Sequence, residues 1–260
     1  LIVTPGAKPA LWQSALLVLA VLVSSAAAGA FNQYYEYDLD RSMARTARRP
    51  FASGTLSRHW GWLAVILVLT AGAVAVATFA TNWIAALYTF LGAFVYAVVY
   101  TVWLKRRTWL NIVIGGLAGS FAVLAGAAAV VPSLSAEALV LAVVLFLWTP
   151  PHFWSLSIAF RDDYARAGVP MLPVVKGDAA AARAILVNAA LLVAASLALG
   201  MFAPGWIYLG FALLGGGYFL RECVRLVVQP GRRQAMRAFH ASLMQLSLVL
   251  IGVMLDAAFR

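Results

Sequence analysis

Apolar stretches with few charges recur along the whole chain, separated by connecting segments. Eight of them occupy residues 11–35, 59–81, 83–104, 110–131, 136–160, 182–202, 206–228 and 239–259. A helix crossing the hydrocarbon core of a bilayer needs about 20 such residues. An open strand would leave its backbone unsatisfied in lipid, so each stretch reads as a helix. The pattern therefore predicts an all-α, polytopic transmembrane helix bundle. No linker, fixed-period repeat or low-complexity tail interrupts it, which predicts one membrane domain over residues 1–260. Gly115, Gly116 and Gly119 in "NIVIGGLAGS" are small enough to let helices approach closely.

The connections alternate in charge. Four are basic, at 36–58, 105–108, 161–181 and 229–237. Three, around Ala80, Ser133 and Pro204, carry no Lys or Arg. With Arg183 at the start of the sixth stretch and Arg221 and Arg225 at the end of the seventh counted, one side collects all but Lys8 and Arg260 of the 19 Lys and Arg residues. That side is expected in the cytoplasm. Composition agrees: 64% of residues are hydrophobic and 11% charged, against about a quarter charged in a soluble domain. A net charge of +10 would point to nucleic acid in a soluble protein. Here it reads as topology plus anionic substrates, with no nucleic-acid partner. The single cysteine, Cys223, excludes an intrachain disulfide and a cysteine metal cluster.

Topology explains bases but not acids, and all but two of the nine Asp and Glu residues lie on the basic side. In "NQYYEYDLDRSMARTARRP", Asn32, Glu36 and Asp40 are spaced by four. On a helix they form one stripe about 12 Å long, with Asp38 pointing elsewhere. An amide and two carboxylates supply hard oxygens suited to Mg²⁺, which commonly takes substrate phosphate oxygens as further ligands. Arg45, Arg48 and Arg49 follow, and arginine suits bidentate phosphate contacts. The combination reads as a site for a metal-bound diphosphate. A solvated loop with surface ion pairs is the plainer alternative.

Other segments stay open. In "RDDYARAGVPMLPVVKG", Asp162 and Asp163 read either as further metal ligands or as balance for Arg161 and Arg166, and Lys176 as a phosphate contact. Lys105, Arg106 and Arg107 read either as topology anchors or as a clamp on anionic groups. In "FLWTPPHFWSL", Pro150 and Pro151 are expected to break a helix. His152 beside them is either a neutral histidine bonded to freed carbonyls or a porphyrin contact. Trp148, Phe153 and Trp154 either pack on a flat ring or sit as interfacial aromatics.

These residues resemble the UbiA superfamily of intramembrane prenyltransferases and, within it, the heme O synthase branch of protoheme IX farnesyltransferases. The resemblance rests on Asn32, Glu36, Asp38, Asp40, Met43, Arg45, Thr46, Arg49 and Pro50. It extends to "YTVWLKRRTWLNIVIGGLAG", "FLWTPPHFWSL" and "DDYARAGVPMLPVVKG", in the family's order. It implies transfer of a farnesyl group from farnesyl diphosphate to heme b, with Mg²⁺ as cofactor, in a membrane-lipid setting. It implies catalytic and metal-binding roles for Asn32, Glu36, Asp40 and Asp163. It implies diphosphate contacts from Arg45, Arg49, Lys105, Arg106 and Lys176, and heme contacts from His152 and Trp148. The product would feed heme A synthase or the assembly of a terminal oxidase, in a bacterial inner membrane.

Three departures from the family pattern stand out. Glu36 replaces the usual Asp. "SFAVLAGAAAV" stands where a Pro pair and a Gly-Trp are usual. The family has nine spans, and the opening "LIVTPGAKP" reads as the end of a further one. The rival readings are prenylation of an aromatic quinone precursor and a non-catalytic heme-handling membrane protein. Paired broken helices in two similar halves would mark a transporter, and only one break is expected here.

Overall fold

The computed structural model describes residues 1, 4–202 and 205–259. The connection at Pro204, the start of "LIVTPGAKP" at residues 2–3, and Arg260 lie outside the described residues. The first long helix is α1 (Leu11–Tyr35), followed by the short α2 (Tyr37–Ser42) and α3 (Pro50–Ser53). Next come α4 (Gly61–Ala80) and α5 (Trp83–Phe94). α5 continues as a π-helix over Val95–Leu104. α6 (Asn111–Gly115) and α7 (Leu117–Ala128) form one span with a step at Gly116. α8 (Ala136–Ala159), α9 (Arg161–Arg166), α10 (Leu172–Lys176), α11 (Asp178–Leu199), α12 (Trp206–Val228) and α13 (Arg232–Ala258) complete the chain.

The long helices pack as two groups. In the first, α1, α4, α5 and α7 meet around Leu17, Ala20, Ala73, Ala77, Ala85 and Ala128. In the second, α8, α11, α12 and α13 bury Ile185, Leu192, Tyr208, Phe219 and Val249. Contact of α7 with α8 joins them. A third, smaller cluster of Leu39, Met43, Ile112, Tyr164, Val169 and Met171 ties the polar connections together at the basic end. Alanine and glycine at these contacts let backbones come close, which is how helices gain packing energy where lipid is as apolar as leucine. Gly215 and Gly252 show this between α12 and α13. A Cβ on Gly215 would stand 3.1 Å from the Gln245 Cα, and one on Gly252 2.9 Å from the Phe211 Cβ.

Seven helices among the described residues are long and apolar enough to cross a membrane. The expected eighth, 206–228, does form a helix, α12, but is not among them. Its glycines at 210, 215, 216 and 217 and its charges at Arg221, Glu222 and Arg225 lower its hydropathy. It is instead packed between α11 and α13. The last span also begins earlier than 239, because Arg232 and Arg233 lie in the first turn of α13.

The expected break at the prolines is corrected. α8 runs through Pro150 and Pro151 without interruption. Two missing N–H groups free the carbonyls four residues back, those of Phe146 and Leu147. Asn188 of α11 satisfies one of them: its Nδ2 donates to the Leu147 carbonyl at 3.0 Å. A neighbouring helix thus supplies the hydrogen bond that the chain itself cannot.

Candidate active site

Asn32 and Glu36 belong to the end of α1, and Asp40 to α2. The chain kinks at Glu36, yet the Glu36 N–H still bonds the Asn32 carbonyl (2.9 Å) and the Asp40 N–H bonds the Glu36 carbonyl (2.8 Å). The four-residue stripe therefore survives the kink. All three side chains are buried. Asp38 falls off the stripe, as its spacing requires, and pairs with Arg106 at 3.0 Å on the exposed surface. Burial acts to raise the Asp38 carboxyl, but hydrogen bonds from Arg106 and the local backbone outweigh it and hold it below the usual aspartate value.

The acids face a row of cations. Arg49 Nη1 donates to both oxygens of Asp40 at 3.0 Å and stands 3.4 Å from Asn32 Oδ1. Lys105 pairs with Glu36 Oε2, which also accepts from Asn32 Nδ2 at 2.6 Å. Burial pushes the Lys105 ammonium below the ordinary lysine value, although Glu36 pulls it the other way. Arg45 Nη2 lies 3.4 Å from the Tyr164 hydroxyl. Burial raises that phenol above its ordinary value, although Arg45, whose guanidinium donates to the Tyr164 oxygen, pulls it the other way.

Asn32, Asp40, Arg45, Arg49 and Lys105 line a single recess of about 80 Å³ with Thr46, Tyr96, Tyr100 and Tyr164. Glu36 lies beside it through its bonds to Asn32 and Lys105. Tyr96, Tyr100, Ile112 and Phe153 also wall a second cavity of about 200 Å³, floored by Gly115, Gly116 and Gly119. Tyr96, Ala118 and Gly119 are shared again with a third cavity of about 290 Å³ between α1, α5 and α7. A charged recess thus adjoins two largely apolar compartments, and Tyr96 touches all three. The altered stretch "SFAVLAGAAAV" supplies Ala122 to the third cavity, and its Ser120 bonds the Ala142 carbonyl of α8 at 2.8 Å.

Other expected residues are placed elsewhere. Asp163 pairs with Arg166 and lines a separate recess of about 450 Å³ with Arg161, Asp162, Asp178 and Arg232. Arg106 is occupied by Asp38 outside the recess, and Lys176 is exposed at the end of α10. His152 is buried between Trp148 and Phe239, with ring centroids 4.2 and 4.3 Å away. Its Nδ1 lies 2.8 Å from Ser242 Oγ of α13, and Trp148 Nε1 donates to the Ser242 carbonyl. Neither His152 nor Trp148 lines any of the three joined cavities. The freed-carbonyl partner is Asn188, and His152 bonds the neighbouring helix instead. The sequence does not mark Tyr96, Tyr100, Thr101 or Tyr164 as site residues: the last three lie inside the quoted motifs, but nothing in their spacing sets them apart from other span and loop residues. Phe153, expected to pack on a flat ring or to sit at the interface, walls the recess and the second cavity.

A family model described as the UbiA prenyltransferase family matches residues 1–249. The chain belongs to the UbiA prenyltransferase family. It is 59% identical over 253 residues to "Protoheme IX farnesyltransferase 2" of Paramagnetospirillum magneticum, covering 97% of this chain and 88% of that one. "Protoheme IX farnesyltransferase 1" of the same organism is 50% identical over 242 residues, covering 93% and 85%. "Protoheme IX farnesyltransferase 1" of Cenarchaeum symbiosum is 42% identical over 256 residues, covering 98% and 86%. Solved structures share the UbiA fold. A UbiA homolog from Aeropyrum pernix K1 has a TM-score of 0.72 at 22% identity, covering 97% of this chain and 91% of that one. One from Archaeoglobus fulgidus, bound to DMAPP and Mg²⁺, has a TM-score of 0.64 at 14% identity, covering 94% and 89%.

The oxygens in and beside the recess are of the hard kind that suits Mg²⁺. Glu36 Oε1 is buried without a partner. Asn32 Oδ1 and the Asp40 carboxylate add further hard oxygens. Among the described residues no three His, Cys, Asp or Glu side chains cluster as a metal site. A cation here would therefore lean on the amide, on water and on substrate phosphate, which Mg²⁺ accepts readily.

Proposed function

We propose that this protein transfers the farnesyl group of farnesyl diphosphate to a vinyl group of heme b, with addition of water, giving heme O and diphosphate. The observation that carries the reading is the charged recess that shares tyrosine walls with two largely apolar compartments. Heme as the acceptor is supported by the 59% identity to a protoheme IX farnesyltransferase across nearly the whole chain.

Asn32, Glu36 and Asp40 would hold Mg²⁺, which supplies Lewis-acid stabilisation of charge on the departing diphosphate. Arg49 contacts Asp40 and Asn32 through Nη1 alone, so its other nitrogens remain for phosphate. Arg45 and Lys105 complete the cationic side of the recess. Such preorganised charge favours breaking the C1–O bond, with the electron pair leaving on the diphosphate. The vinyl group's terminal carbon then forms the new C–C bond, moving the positive charge to the porphyrin-side carbon. Water adds there and loses a proton. The apolar walls keep other water from the allylic cation. The vinyl-bearing edge of heme b would enter the cavity over Gly115, Gly116 and Gly119, and the isoprenoid chain the cavity between α1, α5 and α7.

The excess of Lys and Arg supports a cytoplasmic position for the basic end, and the membrane would be a bacterial inner one. Heme O would leave for heme A synthase or the assembly of a terminal oxidase. The test is mass spectrometry of heme extracted after incubation with heme b, farnesyl diphosphate and Mg²⁺. A farnesylated, hydrated heme is expected. Unchanged heme beside a prenylated quinone precursor would overturn the reading.

A further inference from the structure

The ten-residue π-helix Val95–Leu104 lies against the recess, and it carries one polar residue buried in the site. Thr101 is 1% exposed. Its Oγ1 donates to the Tyr96 carbonyl at 2.9 Å and accepts from Asn32 Nδ2 at 3.0 Å. We infer that Thr101 is a positioning residue for the reaction: it fixes which end of the Asn32 amide faces the recess, and the π-helix is what brings it there.

The argument is one of proton counting. A threonine hydroxyl has one proton and two acceptor lone pairs. The Thr101 proton is committed to the Tyr96 carbonyl, so toward Asn32 the hydroxyl can only accept. Glu36 Oε2, the other partner of Asn32 Nδ2, is likewise an acceptor. With Nδ2 held by two acceptors, Oδ1 turns toward Arg49 and the recess. The opposite orientation would set an amide oxygen against two oxygens and turn the N–H₂ toward the cation side, where it offers no ligand.

The commitment of that proton depends on the π-helix. Thr70, Thr78, Thr81, Thr89 and Thr149 each bond the carbonyl four residues back. Thr101 bonds the one five back. In the same stretch the Lys105 N–H bonds the Tyr100 carbonyl, also five back. In an α-helix, at about 3.6 residues per turn, residues 96 and 105 would lie some two and a half turns apart on opposite faces. The wider π turn aligns Tyr96, Thr101 and Lys105 on the face that meets Asn32, Glu36 and the recess. π-helical bonding is rare in proteins and is frequently found at functional sites.

The inference rests on the reading of Asn32 as a metal ligand, and its test separates the two. Full-length protein in detergent is titrated with Mn²⁺ in the presence of the unreactive farnesyl thiodiphosphate, and bound Mn²⁺ is read by electron paramagnetic resonance. Wild type is expected to load Mn²⁺. Thr101→Val is expected to raise the half-saturating Mn²⁺ about tenfold, equivalent to ~1.4 kcal/mol. Thr101→Ser should restore it to within about twofold, since the hydroxyl returns. In an Asn32→Ala background Thr101→Val should add almost nothing, because the group it orients is gone. Thr101→Ala serves the same cycle where the Val variant does not fold. Full additivity with Asn32→Ala, or no rescue by Ser, overturns the positioning role alone. Wild type that binds no Mn²⁺ with the analogue overturns the metal reading and this role with it.

Discussion

Asp40 is held from several sides at once. Both its oxygens lie 3.0 Å from Arg49, its carbonyl accepts from the Thr46 hydroxyl at 3.1 Å, and its side chain is 2% exposed. Asp40→Ala removes one of the proposed hard oxygen ligands and leaves Arg49 without its counter-charge. Formation of heme O is expected to fall at least about a hundredfold, the upper end of what a displaced metal partner costs. Binding of heme b, followed by its Soret band, should persist, because no wall of the glycine-floored cavity changes. Lys105 and Glu36 test a different property. Glu36 is fully buried, and removing one member of a buried ion pair costs roughly 3–5 kcal/mol. Lys105→Met should therefore lower the thermal unfolding midpoint sharply. The double variant Glu36→Gln/Lys105→Met should recover much of the loss, because no unpaired charge remains. At this scale the stripe of Asn32, Glu36 and Asp40 was legible, since side chains four apart share a helix face. The separation of Asp163 and His152 from it was not. A motif names residues but does not say which side of a helix its neighbours cover, and Ser242 of α13 decides where His152 turns.

Elements were legible in number and type rather than in detail. Apolar runs fixed the long helices because lipid permits little else. "VYAVVYTVWL" reads like any other span, and nothing in its composition distinguishes i→i+5 bonding from i→i+4. Pro150 and Pro151 misled for a related reason: the compensation lies on another helix, more than thirty residues away in sequence. That compensation is testable. Asn188→Leu strands the Leu147 carbonyl in an apolar setting, at a cost of about 1–2 kcal/mol, and should lower the unfolding midpoint by a few degrees. Pro151→Ala returns an N–H to that carbonyl. In the Pro151→Ala background Asn188→Leu should cost much less, and equal costs in both backgrounds would refute the account of how α8 survives its prolines.

For the molecule as a whole, three neighbouring cavities share walls: a charged recess, a glycine-floored chamber and a channel between helices of the first group. Gly119 stands where the last two join, and a Cβ there would meet nothing within 4 Å. Its smallness is therefore not a packing requirement, unlike that of Gly115, whose Cβ would come 2.9 Å from the Tyr100 ring. Gly119→Leu should fold and grow a side chain into the junction, narrowing the space for a long isoprenoid. kcat/KM with farnesyl diphosphate is expected to fall by about tenfold or more, the scale on which a few methylenes discriminate in an apolar pocket. With dimethylallyl diphosphate, whose chain is a single isoprene unit, it should fall far less. Gly115→Ala is the contrasting case: it displaces a tyrosine that walls both the recess and the chamber, so it should depress both substrates together. If Gly119→Leu instead leaves the two substrates in their wild-type ratio, the isoprenoid does not run through the junction, and the channel between α1, α5 and α7 is not its binding site.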